Sequence, residues 1–145
     1  MWDFIQRVLR IWAEHNAEHV LNRRVRLTIA QINAGADIVA ALPGHSLRLI
    51  DAKMIAVGGA AGGTTTVDII ATLAAVSRKL VAVAIAALTQ SAVVRAGAAN
   101  SVVLADGASF TANDVNTPIR AFVTGAALTT ATHIDFDVTY ALSKV

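Results

Sequence analysis

The sequence predicts a mainly β domain, of the sandwich or barrel kind, behind an amphipathic N-terminal α-helix. Three observations carry that expectation. The closing run 132–140 alternates strictly, with Ile134, Phe136, Val138 and Tyr140 on one side and His133, Asp135, Asp137 and Thr139 on the other. Successive strand side chains point to opposite faces, so this is a strand with one dry and one wet face, and the dry face needs a second layer over it. Upstream, about eight short β-like runs are spaced by turn clusters, the pattern of a sandwich or barrel. Ahead of them all, apolar residues recur at helical spacing instead.

That first segment, residues 1 to about 21, reads as the helix. Ile5, Val8, Leu9 and Trp12 fall on one stripe, which Trp2, Phe4 and Ile11 widen. Asp3 sits in the first turn, and Arg23 and Arg24 lie just past the end, which suits the helix dipole. A boundary near Asn22 divides the chain into a helical docking arm, 1–22, and a β domain, 23–145.

From Arg24 the period changes to two. Val25, Leu27, Ile29 and Gln31 alternate with Arg24, Arg26, Thr28 and Ala30, and 33–37 is a turn cluster. A short apolar piece, 38–42, stops at Pro43-Gly44, and 47–57 is a long extended stretch. The glycines of 58–63 are followed by β-branched Thr64, Thr65, Thr66 and Val67, the opposite of a helix start. They therefore form a flexible connection between strands, not a phosphate loop, which also needs a Lys-Ser/Thr pair. The next strand is 67–73. In 80–88, Ala and Leu favour helix by propensity, but Val81, Val83 and Ile85 alternate with Ala as in a buried strand, and strand is the expectation here. Thr89-Gln90-Ser91 turns the chain into Val93-Val94. A short strand at 101–104 ends in the turn Ala105-Asp106-Gly107, and Phe110 opens a polar loop. Pro118 fits the position ahead of a strand at 119–124, and 125–130 reads as a small-residue loop before the closing strand.

Composition fits a folded domain. Apolar residues make up 55% of the 145 and charged ones 15%, which excludes disorder as the default. A net charge of +2 is too small to argue for nucleic acid. The excess sits at the front, where five Arg up to Arg26 face Asp3, Glu14 and Glu18. With no cysteine, disulfides and thiolate metal sites are excluded. Trp2 to Trp12 carries Asp3, Arg7 and Arg10, so it holds no signal-peptide core. The longest apolar run, 80–88, is about half the ~20 residues a membrane span needs. Glu14 and Glu18 on the polar face count against a membrane-surface helix.

Nothing in the residues calls for a catalytic site or a cofactor. His15 and His19 stand at i, i+4, a spacing that two metal ligands can use, but Asn16 holds the place of the zinc-protease glutamate. A structural metal site wants four ligands, so a solvated face is the better account. His133, Asp135 and Asp137 share a strand face, where alternation demands polar residues anyway. Asp51 and Lys53 can pair locally on another strand. Ser91, Ser101 and Ser109 lack a nucleophile-elbow context, and Asp106 and Asp114 sit where turns use Asp for backbone bonding.

Four stretches carry a resemblance: 32–35 (Ile-Asn-Ala-Gly), 48–60 (Arg-Leu-Ile-Asp-Ala-Lys-Met-Ile-Ala-Val-Gly-Gly-Ala), 104–110 (Leu-Ala-Asp-Gly-Ala-Ser-Phe) and 129–135 (Thr-Thr-Ala-Thr-His-Ile-Asp). Together they resemble head decoration (cement) proteins of tailed bacteriophages over residues 27–142; the N-terminal helix lies outside the likeness. The resemblance implies an antiparallel β-sandwich of jelly-roll type, often trimeric, on the capsid surface of a virion assembled in the host cytoplasm. It implies as partners the major capsid protein and neighbouring copies, with no nucleic acid, membrane or enzyme activity. A tail, fibre or vertex component and a carbohydrate-binding jelly roll are the alternatives; the last would need exposed aromatics from among Phe110, Phe122, Phe136 and Tyr140. Trp2, Phe4, Ile5, Leu9 and Trp12 are the expected docking surface, since Trp and Arg are enriched where interfaces hold most strongly; the alternative is that the helix packs on its own domain, as terminal helices commonly do. Arg7, Arg10, Arg23 and Arg24 would meet acidic groups on the partner.

Overall fold

The closing alternation becomes the inside of a sheet. The structure, a computed structural model, describes residues 1–15, 18–96, 101–103 and 111–145. Its elements run α1 (Trp2–His15), β1 (His19–Thr28), α2 (Ile29–Ala34), β2 (Asp37–Val39), β3 (His45–Val57), β4 (Gly62–Leu73) and β5 (Val76–Ala84). A 3-10 turn (Ile85–Ala87), β6 (Val93–Arg95), β7 (Ser101–Val103), β8 (Ile119–Thr129) and β9 (His133–Lys144) follow. The strands form two antiparallel sheets, ordered β1-β9-β3-β6 and β2-β8-β4-β5-β7. The molecule is thus a mainly β sandwich with an N-terminal helix.

β9 lies between β1 and β3 and pairs with each along most of its length. Ile134, Phe136 and Val138 are buried, and His133, Asp135, Asp137 and Thr139 stay half-exposed. Leu27, Leu49 and Met54 join the buried row from the same sheet. Val67, Ile69, Val81, Val83, Ile119 and Ala121 meet them from the other sheet in one cluster. Each such Val, Leu, Ile or Phe contributes about 1.5–3 kcal/mol by leaving water. Val76–Ala84 is strand, as the Val–Ala alternation predicts, but the strand ends there: Ile85–Ala87, expected as its continuation, form the 3-10 turn. Pairing to β4 overrides the helix propensity of the strand.

Several boundaries differ from the sequence expectation. The N-terminal helix stops at His15, and residues 19–22 belong to β1, so the division into 1–22 and 23–145 runs through a strand. Val20 and Leu21 suit either element; a ladder to Ala141 and Tyr140 decides for strand. His15 and His19 therefore never share a helix face, and Arg23 and Arg24 stand in β1 instead of behind a helix end. At the other end of β1 the alternation breaks at Ile29, because Thr28 and Gln31 form a capping box that starts α2. Ile32 of α2 is fully buried, and the Asn33 side chain bonds both backbone groups of Leu128 in β8.

Of the apolar piece 38–42, only Ile38 and Val39 join a strand, while Leu42 is exposed. Gly58 and Gly59 do connect strands, whereas Gly62 and Gly63, expected in the same connection, already belong to β4. Residues 125–129, expected as loop, extend β8, with Gly125 (φ 100°) absorbing a register shift against β4. The expected turn at 105–107 and the loop opened by Phe110 lie outside the described residues.

Candidate docking surface

Among the described residues, α1 carries the longest run of exposed large apolar side chains. At roughly 100° per residue, Trp2, Phe4, Ile5, Val8 and Leu9 fall within about 160° of the helix circumference. All five are exposed, Trp2 at 73% and Phe4 at 70%. Single exposed apolar side chains are ordinary, but a contiguous stripe makes this face a candidate for docking. Arg7 and Arg10 are exposed as well. The Trp12 side chain lies outside the described residues.

Strand register tells which end of the sandwich α1 leaves from. His19 pairs with Leu142, which pairs with Leu47, so β1 starts where β3 starts and β9 ends. Glu18 is fixed there by a two-pronged bond from Arg48 of β3, at 2.7 and 3.1 Å. The loops of this end are tied together by backbone. The Gly44 N–H donates to Asn116 Oδ1 at 2.7 Å, the Asn116 N–H to the His45 carbonyl at 3.0 Å, and the Asp114 N–H to the Thr72 carbonyl at 2.8 Å. Leu42, Val76 and Val115 are exposed on these loops and strand starts. α1 and this apolar rim therefore belong to one end.

The outer face of the β9 sheet is a ladder of ion pairs. Arg26 grips Asp135 at 2.6 and 2.7 Å, Arg24 reaches Asp137 at 3.1 Å, and Asn22 adds a 2.7 Å bond to Asp137. Those bonds hold Asp135 below the usual carboxylate range, through Arg26 first. They hold Asp137 there too, through Asn22 first and then Arg24. The Arg48 bond does the same to Glu18. Asp51 pairs with Arg95 at 2.8 Å, not with Lys53 as its place on the strand suggested. A groove of about 450 Å³ opens on this face, lined by Arg24, Arg26, Lys53, Ile55, Val93 and Asp135 among others.

His133, Asp135 and Asp137 do not converge. The aspartates turn to the arginines of β1. The Thr132 hydroxyl donates to the Val57 carbonyl at 2.9 Å, so the 2.9 Å contact to His133 is an Nδ1–H donated to Thr132 Oγ1. Its Nε2 is buried and has no hydrogen-bond partner. Among the described residues no three His, Asp or Glu side chains form a metal cluster.

Among the described residues Asp68 is a charged side chain with no exposure at all. Asp68 of β4 accepts from Thr66 Oγ1 at 2.7 Å and Thr124 Oγ1 at 2.5 Å, with Lys79 Nζ at 3.1 Å. Lys79 also donates to Thr124. Thr124 spends its own proton on Asp68, so this network is a satisfied structural knot, not an activated hydroxyl.

Of the predicted docking residues, Trp2, Phe4, Ile5, Arg7, Leu9 and Arg10 lie together on α1, all exposed. Arg23 is exposed on β1. Arg24 is already engaged by Asp137, which removes it from the list of free cations. The Leu42–Val76–Val115 rim and the Glu18–Arg48 clamp escaped the sequence, because only long-range pairing assembles them. Of the aromatics a carbohydrate site would want, Phe136 is buried, Tyr140 is partly buried, and Phe122 is 42% exposed. Phe110 lies outside the described residues.

No helix among the described residues is long and apolar enough to cross a membrane. No family model matches the chain. No curated protein matches it either. Among solved structures it is similar to a chain of the acidic stable capsid structure of Helicobacter pylori bacteriophage KHP30. The likeness has 14% identity and a TM-score of 0.43, over 89% of this chain and 98% of that one. Likeness at that level establishes neither family nor function.

Proposed function

We propose that this chain is a non-enzymatic structural protein of a phage virion, a decoration or cement protein that binds and stabilises the capsid shell. The observation that carries this reading is the exposed apolar stripe of α1 at one end of an ion-paired sandwich. A protein that works by adhesion needs a stable body and a sticky surface, and both are present. The sequence resemblance to phage decoration proteins, over residues 27–142, supports the choice of partner. The major capsid protein and sister copies are the proposed contacts, through α1, the rim of Leu42, Val76 and Val115, and the cations Arg7, Arg10 and Arg23.

Deleting residues 1–15 tests it. The cut stops before Glu18, so β1 keeps its pairing and its clamp. The truncated chain is expected to fold, shown by an unchanged β circular dichroism signal, and to stop co-sedimenting with phage heads that lack this protein. Undiminished binding to heads would sink the role of α1. Immunogold labelling confined to tails would sink the head assignment.

A further inference from the structure

β1 is a sheet edge with one side in use. It pairs with β9 along all ten residues without a register shift, and among the described residues no strand pairs with its other side. In an antiparallel ladder every second residue turns its N–H and C=O away from the partner strand, so about half of the backbone groups of β1 face outward. Proteins blunt such edges with short strands, prolines and bulges. Among the described residues the other three edges, β2, β6 and β7, have three residues each. β1 is long, and has neither proline nor bulge. Its core-side face is also unfinished. Leu21, Arg23, Val25 and Leu27 stand opposite Tyr140, Val138, Phe136 and Ile134, and so share the inward side of the sheet. Leu27 is buried there, yet Leu21 is 42% exposed, Val25 is half-buried and Arg23 is exposed.

We propose that β1 accepts an extended segment of a partner protein as an added strand, with a carboxylate opposite Arg23 and apolar side chains opposite Leu21 and Val25. Backbone bonds give such additions their affinity, and alternate side chains choose the partner. Side chains directly opposite on one face stabilise when their charges are opposite and destabilise when they are alike. The charge at this edge asks for an acid. Arg23, Arg24 and Arg26 stand on β1 against Asp135 and Asp137 behind it, which leaves one positive charge over. Arg24 and Arg26 are held by the aspartates, so Arg23 carries that charge. The same residue rejects a second copy. Two β1 strands paired antiparallel, with Leu21 of each opposite Val25 of the other, bring Arg23 against Arg23. The edge is separate from α1, and the inference asks nothing of the adhesive reading of that helix.

Amide exchange on the full chain, read residue by residue, tests this with the capped peptide Thr-Val-Thr-Glu-Thr-Val-Thr. At about ten times its dissociation constant the peptide should raise protection of the outward amides of residues 21–25 about tenfold. Lysine in place of the peptide's glutamate should abolish the gain, and Arg23→Glu should transfer it from the glutamate peptide to the lysine peptide. N-methylation of every peptide amide should abolish it too. Unchanged β1 protection overturns the inference, as does a gain confined to β2, β6 or β7. A gain that survives the lysine exchange or ignores Arg23→Glu also overturns it, because Arg23 then selects nothing. Outward β1 amides already protected in a chain of two-copy mass would hand the edge to a sister copy and overturn it as well. None of these outcomes touches the head binding tested by the 1–15 deletion, so the two readings fail separately.

Discussion

Glu18 and Arg48 meet across β9, carboxylate to guanidinium, at 2.7 and 3.1 Å, although they stand on the two sides of that strand. The bond fastens the root of β1 to β3 over Ala141, which is fully buried beneath. Together with Arg24–Asp137 and Arg26–Asp135 it makes three ion pairs that hold one edge strand. β1 needs them. Of its ten side chains Leu27 alone is buried and Val25 half-buried, so the strand contributes little to the core. It is held mainly by backbone ladder and charge.

Acid should therefore loosen β1 first. Glu18, Asp135 and Asp137 all have folded-state values below their ordinary ones. A depressed carboxylate stabilises fully above its unfolded value, about 4, and loses that stabilisation as pH falls through the lower folded value. Amide exchange, corrected for its intrinsic pH dependence, should show β1 losing protection below about pH 4 before β4 or β8 does. Asp135→Asn with Asp137→Asn should lower β1 protection at neutral pH and flatten its acid response. Simultaneous opening of β1 and β4 would contradict this.

The turn between β4 and β5 is built from Ala74 and Ala75, both at positive φ (51° and 60°), where Asn-Gly is the usual choice. Their two N–H groups donate to the Asp114 carboxylate at 2.9 and 2.7 Å, which holds the strained pair in place. Asp114→Ala should cost about 1–3 kcal/mol by removing both acceptors. Ala74→Asn with Ala75→Gly should stabilise, since those residues adopt left-handed backbone more readily. Urea midpoints measure both. A stabilised Asp114→Ala would show that the carboxylate is not what sets the turn.

How much of this was legible follows from which forces are local. The alternation of β9 was readable because one face of the strand is wet, and the Val–Ala alternation of β5 identified a strand against helix propensity. The helix end was not readable, because Val20 and Leu21 choose strand only by meeting residues more than a hundred positions away. α2 did leave a local signal, Thr28 followed three residues later by Gln31, which the alternation of Val25, Leu27 and Ile29 masked. The apolar stripe of α1 was plain, since helical spacing needs no partner to be seen. Arg24 and Arg23 were indistinguishable in sequence, and only the register opposite Asp137 separates a spent cation from a free one.

Asp68, between Val67 and Ile69, has a fully buried side chain. Asp68→Ala leaves two hydroxyls and an ammonium without their acceptor, and should destabilise by about 1–3 kcal/mol. Asp68→Asn, which keeps an acceptor oxygen but drops the charge facing Lys79, should fall between it and wild type. Chemical denaturation ranks the three. Equal stability of the alanine variant and wild type would mean that water replaces the carboxylate at no cost.

Two glycines separate backbone strain from crowding. Gly44 (φ 73°) and Gly58 (φ 77°) are both left-handed, so an added Cβ costs each about 1–2 kcal/mol. At Gly44 it meets nothing within 4 Å. At Gly58 it would sit 2.2 Å from Thr132 Oγ1, the hydroxyl that donates to the Val57 carbonyl and is hydrogen-bonded to His133 Nδ1. Gly58→Ala must therefore displace Thr132 and unpick the start of β9, and should be the more damaging by at least 1 kcal/mol or so. The pairing Gly58→Ala with Thr132→Ser removes the methyl but keeps the hydroxyl, so it should recover little. Thr132→Gly removes the clash and should recover more of the difference, less the bonds it forfeits. Thermal midpoints of the four variants decide it, and equal losses for Gly44→Ala and Gly58→Ala would show that the β3–β4 connection gives way freely and that Thr132 does not anchor β9.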